Sequence, residues 1–176
     1  MKKDNNKHAA EESEFVEKVI KINRVNKVVK GGKRLAFRAF VICGNKKGSV
    51  GYGVAKAKEV PVAIKKAIEK AKKTMFDINT VNDTIPHEVT GSFGASRVVI
   101  KPARAGKGVI AGGAMKTILE LLGVKNVVGK SLGSRNPINV AKAAVEALRS
   151  CKDKSIEEQD RGIEVSSYHH RLEVEA

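Results

Sequence analysis

The sequence predicts an α+β protein of two small domains, on the strength of three observations. In residues 35–43 every second side chain is apolar, and in residues 49–55 larger side chains alternate with glycine. Both patterns have the two-residue period of a β-strand. Residues 60–75 carry apolar side chains at steps of three and four, which is the period of a helix. Both patterns return after residue 84, so a second unit follows. A chain of 176 residues with 41% hydrophobic content is long and apolar enough for this.

Three strands and one helix are predicted for the first domain, residues 15–76. The first strand begins at Val16 and ends before the glycine loop Gly31-Gly32. The helix begins near Val60, with Pro61 in its first turn, where no hydrogen-bond donor is lost. In the second strand five residues share one face, with Arg38 opposite them: Leu35, Phe37, Ala39, Val41 and Cys43.

Glycines mark the third strand, residues 49–55, which follows the hairpin connection at residues 44–48. Gly51 and Gly53 lie on one face of it. A strand face without side chains allows close approach of another backbone, either from a binding partner or from a packed helix.

The second domain, residues 85–150, follows a connector at residues 77–84 in which a short strand is predicted at 78–81. Gly123 is placed to end one helix, and Asn136-Pro137 to begin the next. The predicted elements are strands at 88–92 and 97–101, a helix at 114–122, a strand at 124–132 and a helix ending near Leu148. Residues 1–14 are predicted to form a disordered tail, and residues 151–176 a polar, mobile one.

Positive charge is concentrated in the first domain. Residues 16–73 contain seventeen Lys and Arg against three Glu, a net charge of +14 out of +15 for the whole chain. Residues 74–151 add +5, and both ends are slightly acidic. The pI near 9.9 and this clustering indicate a nucleic-acid partner, because each phosphate neutralised by a cation releases a condensed counterion.

The predicted RNA-binding residues lie in loops and at the helix start, where cations can converge on one phosphate backbone. Such basic loops suit structured double-stranded RNA, and the scarcity of aromatic residues argues against a base-stacking platform. The lysines of residues 65–73 are equally compatible with an ordinary solvated helix face. The predicted RNA-binding set is Arg24, Lys27, Lys30, Gly31, Gly32, Lys33, Arg34, Arg38, Lys46, Lys47, Lys56 and Lys58.

No set of residues suggests catalysis, a metal site or a cofactor. His87 stands alone, and Cys43 and Cys151 have no Cys or His neighbour at metal-ligand spacing. They are interpreted as reduced thiols. No apolar run approaches the length of a transmembrane helix, and the N-terminus lacks the apolar core of a secretory signal.

Two glycine-rich stretches could contact phosphate. Gly129-Lys130-Ser131 resembles the end of a P-loop, but Gly123 precedes Gly129 by one residue too many and a strand surrounds it. Residues 106–113 precede a helix, whose free N–H groups favour anions. For this second stretch, a phosphate contact and a structural role in tight chain reversal and close packing beneath the helix remain alternatives.

Five strings occur in the order of a known family. They are NRVNKVVKGG at 23–32, GYG at 51–53, KEVP at 58–61, GVIAGGAM at 108–115 and GSRNPIN at 133–139. Together, across roughly residues 15–150, they resemble the family of the fifth small-subunit ribosomal protein of bacteria.

This resemblance implies a first domain similar to a double-stranded-RNA-binding domain that lacks its first helix. It implies a second domain with a left-handed β-α-β crossover, whereas general handedness rules favour the opposite hand. The second fold is shared with small-molecule kinases, but their phosphate loop of the type Pro-x-Gly-x-Gly-Leu-Gly-Ser-Ser is absent from this sequence.

The resemblance also implies partners and sites. The protein would bind 16S ribosomal RNA in the cytoplasmic ribosome, support small-subunit assembly and contribute to accuracy near the decoding region and the messenger RNA entry channel. Its protein neighbours would be the fourth and eighth small-subunit proteins, with Arg104 as a candidate interface residue and no homo-oligomer. Val25, Asn26 and Lys27 match a loop near the spectinomycin site, where many members carry Ser in place of Asn26.

Three function hypotheses follow. The first is a structural, non-catalytic ribosomal protein. The alternatives are a free RNA chaperone and a small-molecule kinase built on the second domain.

Overall fold

The protein divides into two compact units, residues 1–76 and 77–176. The computed structural model describes residues 15–78, 80–152 and 154–162. The α+β architecture predicted from the sequence is confirmed. The predicted disordered tail at residues 1–14 lies outside the described residues.

The first unit is a four-stranded sheet with one helix on it. The strand order is β1-β2-β3-β4, and β2 pairs antiparallel with both β1 and β3. The elements are β1 (Val16–Val29), β2 (Gly32–Gly44), β3 (Ser49–Ala57), α1 (Val60–Lys73) and β4 (Phe76–Asp77).

Close approach between α1 and β3 forms the core of this unit. Ala63, Ala67 and Ala71 of α1 are fully buried, in one cluster with Ala39, Val41, Cys43 and Ala55 of the sheet. A Cβ atom at Gly53 would lie 1.9 Å from the Ala67 carbonyl oxygen, and one at Gly51 would lie 2.3 Å from that of Ala71. The glycine face of β3 is therefore occupied by the protein's own helix.

The end of α1 differs from the sequence prediction. The helix stops at Lys73, where the Thr74 N–H donates to the Ala71 and Lys70 carbonyls. The Thr74 hydroxyl also donates to the Tyr52 carbonyl at 2.8 Å, which ties the helix end to β3. The chain then enters β4 rather than the strand predicted at 78–81, where Val81 and Thr84 form only an isolated bridge.

The second unit is a four-stranded sheet with order β5-β6-β8-β7. Strand β6 is antiparallel to β5 and β8, and β7 is parallel to β8, so β7-α2-β8 is the predicted β-α-β element. Its handedness stays a prediction. The elements are β5 (Val89–Phe93), β6 (Ser96–Pro102), β7 (Val109–Ile110), α2 (Gly113–Leu122), β8 (Val127–Gly133), α3 (Pro137–Arg149) and α4 (Lys154–Arg161).

Helices α2 and α3 form the apolar core of this unit with one face of the sheet. Val98, Ile100 and Val127 are fully buried on that face. A Cβ atom at Gly91 would lie 2.2 Å from the Ala143 carbonyl oxygen of α3, so β5 repeats the strand-glycine contact seen in the first unit. The helix side chains completing the core include Met115, Ile118, Leu119, Leu122, Ala144 and Leu148.

Both helix boundaries predicted from turn chemistry are found. Gly123 adopts φ 96° after α2, a left-handed conformation that glycine accepts without strain. The Asn136 side chain accepts a hydrogen bond from the Ile138 N–H at 3.3 Å and caps α3.

Two segments of the second unit differ from the sequence prediction. Strand β8 begins at Val127 rather than at residue 124, because the N–H groups of Lys125 and Asn126 donate to the Asp83 carbonyl instead of to a strand. The predicted mobile tail at residues 151–176 contains α4. The Lys152 N–H before that helix donates to Nε2 of His87 at 3.0 Å. Residues 163–176 lie outside the described part of the chain.

The glycine contact generates a stability prediction. Gly53→Ala should lower the free energy of unfolding by about 3 kcal/mol, because neither backbone can yield without loosening the core. Urea unfolding followed by circular dichroism measures the change. The control is Gly112→Ala, where no atom lies within 4 Å of the added methyl and a loss below about 1 kcal/mol is expected. Equal losses in the two variants would contradict the close-approach account.

Cys43 offers a chemical test of the same core. Burial, and then the nearby Glu17 carboxylate, raise the pKa of its thiol from 9.0 to about 11. In a Cys151→Ser variant, the remaining thiol should react with a disulfide reagent at pH 8 at least ~100-fold more slowly in the native protein than in urea. Cys43→Ala provides the control, since only the half-buried Cys151 then reacts. Fast native labelling of Cys43 would show that this core opens readily.

Candidate nucleic-acid interface

Strands β1 and β2 extend beyond the rest of their sheet as a two-stranded arm, residues 24–36. Strand β3 pairs with β2 only from Phe37 to Gly44, whereas β1 and β2 stay paired out to Val29 and Gly32. The tip of the arm is Lys30-Gly31, and Gly31 adopts φ 90° there. A left-handed residue at this position favours glycine, which explains the glycine loop that marked this site in the sequence.

Cross-strand register places the cations on both faces of the arm. Partners in an antiparallel ladder share a face, so Lys27 lies beside Arg34, and Arg38 lies beside Lys56 of β3. These four residues form one surface, called the basic face, on the side of the sheet opposite α1. Arg24 and Lys33 lie on the α1 side, and Lys30 lies at the tip.

Two like-charge pairs stand directly opposite each other on the basic face. Lys27–Arg34 and Arg38–Lys56 each place two cations on neighbouring strands, an arrangement that destabilises a sheet by roughly 0.2–1 kcal/mol. No Asp or Glu occurs between Glu17 and Glu59, so the sequence of this region supplies no carboxylate to offset them. A polyanion laid across the strands would remove the repulsion.

Arg38 is the member of the basic face whose side chain is held in place by a neighbouring residue. Its Nε atom is buried and has no hydrogen-bond partner among the residues that the structure describes. With the Asn23 amide oriented so that both its groups are satisfied, the amide oxygen accepts from Arg38 Nη2 at 3.0 Å and the nitrogen donates to the Ile22 carbonyl. Asn23 therefore holds the guanidinium in place.

The predicted RNA-binding residues do not all meet. Lys56 and Lys58 lie near the base of the arm, where β3 leads into α1. Lys46 and Lys47 lie in the β2–β3 turn at the opposite end of the sheet, about 36 Å along β2 from Lys33. There the Asn45 side chain accepts from the N–H groups of Lys47 and Ser49 at 2.8 and 3.0 Å and shapes the turn.

Two exposed apolar side chains on the arm were not identified from the sequence. Leu35 lies on the face predicted to be core, but beyond the N-terminal end of α1, and is 46% exposed. Val28 pairs with Lys33, lies diagonally across the ladder from Leu35 on the same face, and is 72% exposed. Strand alternation placed Leu35 on the correct face of the sheet. It could not show that α1 does not extend over the arm.

The segment Val25-Asn26-Lys27 lies within β1 rather than in a loop. Asn26 pairs with Leu35, and Val25 with Ala36, four to five residues before the tip. Arg104 is exposed in the turn between β6 and β7, where its carbonyl accepts from the Lys107 N–H at 3.3 Å.

The glycine-rich stretch before α2 lines a cavity of about 650 Å³ together with Lys130, Ser131 and Arg135. Gly106, Gly108 and Gly113 have positive φ angles, and a Cβ atom at any of them would meet nothing within 4 Å. These glycines therefore shape the turns of the loop rather than allow close packing.

Within residues 15–78, 80–152 and 154–162, no group of three His, Cys, Asp or Glu side chains could hold a metal ion. No helix in the same ranges is long and apolar enough to cross a membrane.

Comparison with known proteins matches both units. Residues 15–79 match the family model "Ribosomal protein S5, N-terminal domain", and residues 91–161 match "Ribosomal protein S5, C-terminal domain". The small ribosomal subunit protein uS5 of Syntrophobacter fumaroxidans is 53% identical over 152 residues, which cover 86% of this chain and 92% of that protein. The small ribosomal subunit protein uS5c of Rhodomonas salina is 50% identical over 163 residues, 92% of this chain and 97% of the relative.

The two family models together span most of the described chain, and each model matches one of the two units of the structure. The aligned regions cover nearly the whole length of both relatives. The chain therefore belongs to the ribosomal protein S5 family, whose members are structural proteins rather than enzymes.

Proposed function

We propose that this protein is a structural constituent of the small ribosomal subunit that binds 16S ribosomal RNA through its arm and basic face. The observation that carries the proposal is the pair of like-charge cross-strand contacts on a carboxylate-free surface. An external polyanion would relieve this repulsion, and membership in a family of small ribosomal subunit proteins favours ribosomal RNA as that polyanion.

The geometry of the arm supports one mode of binding. An arm with cations on both faces and at its tip can enter between RNA segments and neutralise phosphates on either side. Exposed Val28 and Leu35 offer apolar contact to riboses or bases once the phosphates are engaged. No aromatic side chain lies within residues 24–36, so recognition depends on RNA shape and backbone rather than on base stacking.

The finer assignments extend the same proposal. The protein supports subunit assembly and contributes to translational accuracy near the decoding region and the messenger RNA entry channel, in the cytoplasmic ribosome. The strand segment Val25-Asn26-Lys27 borders the spectinomycin site. The second unit contacts the fourth and eighth small-subunit proteins, with Arg104 in the exposed β6–β7 turn as one contact.

Salt dependence tests the arm. Replacing Arg24, Lys30 and Arg34 with Ala should weaken binding to 16S ribosomal RNA. It should also reduce the slope of log affinity against log salt by about 2–3, because each lost phosphate contact removes about one unit. Filter binding over a series of KCl concentrations measures the slope. The matched control replaces Lys65, Lys66 and Lys70, exposed on α1, and removes the same charge. Equal slopes for the two triple variants would show that net charge, not the arm, determines affinity.

Sedimentation separates the ribosomal role from its alternatives. A tagged full-length protein expressed in bacterial cells should run mainly with small subunits on a sucrose gradient, because its many phosphate contacts form only on folded ribosomal RNA. A chaperone would remain largely at the top of the gradient. For the kinase alternative, equilibrium dialysis of the full-length protein with ATP should show no saturable binding.

A further inference from the structure

The glycine-rich stretch before α2 is a feature that RNA binding by the arm does not explain. Gly106, Gly108 and Gly113 have positive φ angles, so the geometry of the turns accounts for them. Gly112 is different, because its φ of −94° is open to any residue and a Cβ atom there would meet nothing within 4 Å. Neither backbone conformation nor packing therefore requires glycine at position 112.

Sheet topology places this stretch at the carboxyl ends of two parallel strands. Strand β7 ends at Ile110 and leads into α2, and β8 ends at Gly133 and leads into α3. Because β7 pairs with β8 only at Val127 and Val128, the chain diverges from β8 there, and the cavity of about 650 Å³ lies beside residues 129–131. Ligands of open α/β sheets bind in crevices of this kind.

The first turn of α2 lines the cavity with N–H groups that lack an acceptor. Its N-cap residue, Gly112, has no side chain to accept from them, and the N–H groups of Gly113 and Ala114 donate to no residue that the structure describes. At the start of α3, by contrast, Asn136 accepts from the Ile138 N–H. Free N–H groups in a first turn carry partial positive charge and favour an anion.

A buried hydroxyl on β8 also lacks a partner. Ser131 pairs with Val98, whose side chain is fully buried, so Ser131 points to the helix side of the sheet, and it lines the same cavity. Its Oγ atom is buried and forms no hydrogen bond with any described residue. An unsatisfied buried hydroxyl lowers stability, and a ligand oxygen in the cavity would accept a hydrogen bond from it.

Cations complete the lining, and no carboxylate opposes them. Lys130 and Arg135 line the cavity, are exposed, and form no ion pair with a described residue. No Asp or Glu occurs among the described residues that line it. Backbone N–H groups, a hydroxyl and two cations are donors that suit the acceptor oxygens of a tetrahedral phosphate.

We propose that this cavity binds a phosphate group through the N–H groups of Gly113 and Ala114, the Ser131 hydroxyl, and the side chains of Lys130 and Arg135. RNA phosphodiesters and small phosphorylated molecules present the same oxygens, so both are sources of the group. The site shares no residue with the arm or the basic face. It therefore stands or falls independently of the proposed function.

Backbone amide NMR of the ¹⁵N-labelled full-length protein tests the site. Inorganic phosphate is titrated at constant pH and constant ionic strength, with NaCl as the compensating salt. The N–H resonances of Gly113 and Ala114 should shift saturably and give one common dissociation constant. Shifts that stay linear in phosphate concentration, or that are no larger than those of the exposed α1 lysines, would overturn the proposal.

Gly112→Asp blocks the site without threatening the fold. The φ and ψ of this residue, −94° and 140°, suit an N-cap whose carboxylate accepts from the first-turn N–H groups in place of phosphate. Phosphate affinity should fall at least ~10-fold, because hydrogen bonds to a charged ligand are lost, and the Tm should not decrease. The matched control, Gly112→Ala, adds a methyl group that meets nothing within 4 Å and should retain binding. Unchanged affinity in Gly112→Asp would contradict the site.

A second pair of variants tests the side chains. Ser131→Ala with Arg135→Gln should lower phosphate affinity at least ~10-fold, since it removes a hydroxyl donor and a charged one. Lys107→Gln removes the same charge from the same glycine-rich stretch, but Lys107 is not among the residues lining the cavity. Equal losses in the two variants would show that net charge, rather than the cavity, attracts phosphate.

Two further probes identify the source of the phosphate. Hexauridylate without terminal phosphates offers only phosphodiesters, whereas uridine 5′-monophosphate offers a monoester. Saturable shifts of Gly113 and Ala114 with the oligonucleotide assign the site to RNA, and shifts with the mononucleotide alone assign it to a small molecule. Either result supports the phosphate site. No response to inorganic phosphate or to either probe would overturn it, and would leave the binding of 16S ribosomal RNA by the arm unaffected.

Discussion

The contact between α1 and the glycines of β3 is the constraint on which the first unit depends. With less than 2.5 Å between a hypothetical Cβ at Gly51 or Gly53 and the helix backbone, α1 can lie only on this face and at this height. The alanines of α1 complete the fit, since larger side chains would lift the helix away. Fixing the helix on one side leaves the other side of β2 and β3 to carry the basic face, and leaves the arm beyond the helix uncovered.

Electrostatics and packing are thereby separated in space. The core beneath α1 is built mainly from small residues, and Phe40 and Ile42 are buried on the opposite face of β2. The cations project from the arm, the basic face and the exposed side of α1. Like charges opposite one another in the ladder slightly lower the stability of the isolated protein. An RNA partner whose phosphates neutralised these charges would bind more tightly because it relieves their repulsion. The second unit buries large apolar side chains between its helices and its sheet, among them Met115, Ile118 and Leu122.

Much of the architecture could be read from local patterns. The strand alternation of residues 35–43, the α1 stripe, the glycine after α2 and the Asn136-Pro137 helix start all reflect interactions between residues near in sequence, and the structure contains the elements they predict. Boundaries that depend on distant partners were missed. Strand β8 begins late because Asp83 accepts two N–H groups from residues 125 and 126, and β4 replaces the strand predicted at 78–81 because β3 offers it a free edge. The helix at 154–161 carries too polar a sequence for an apolar stripe to reveal it.

The sequence by itself determined the partner class, because phosphate binding depends on the number and sign of charges and these are counted without coordinates. It also determined the elements and, through five short strings, the family. Only the tertiary structure decided which cations lie together. Cross-strand register joins Lys27, Arg34, Arg38 and Lys56, and the length of β2 separates them from Lys46 and Lys47. The tertiary structure alone showed that the glycine face of β3 is covered by α1. Register and packing are relations between residues far apart in the chain, and no local pattern encodes them.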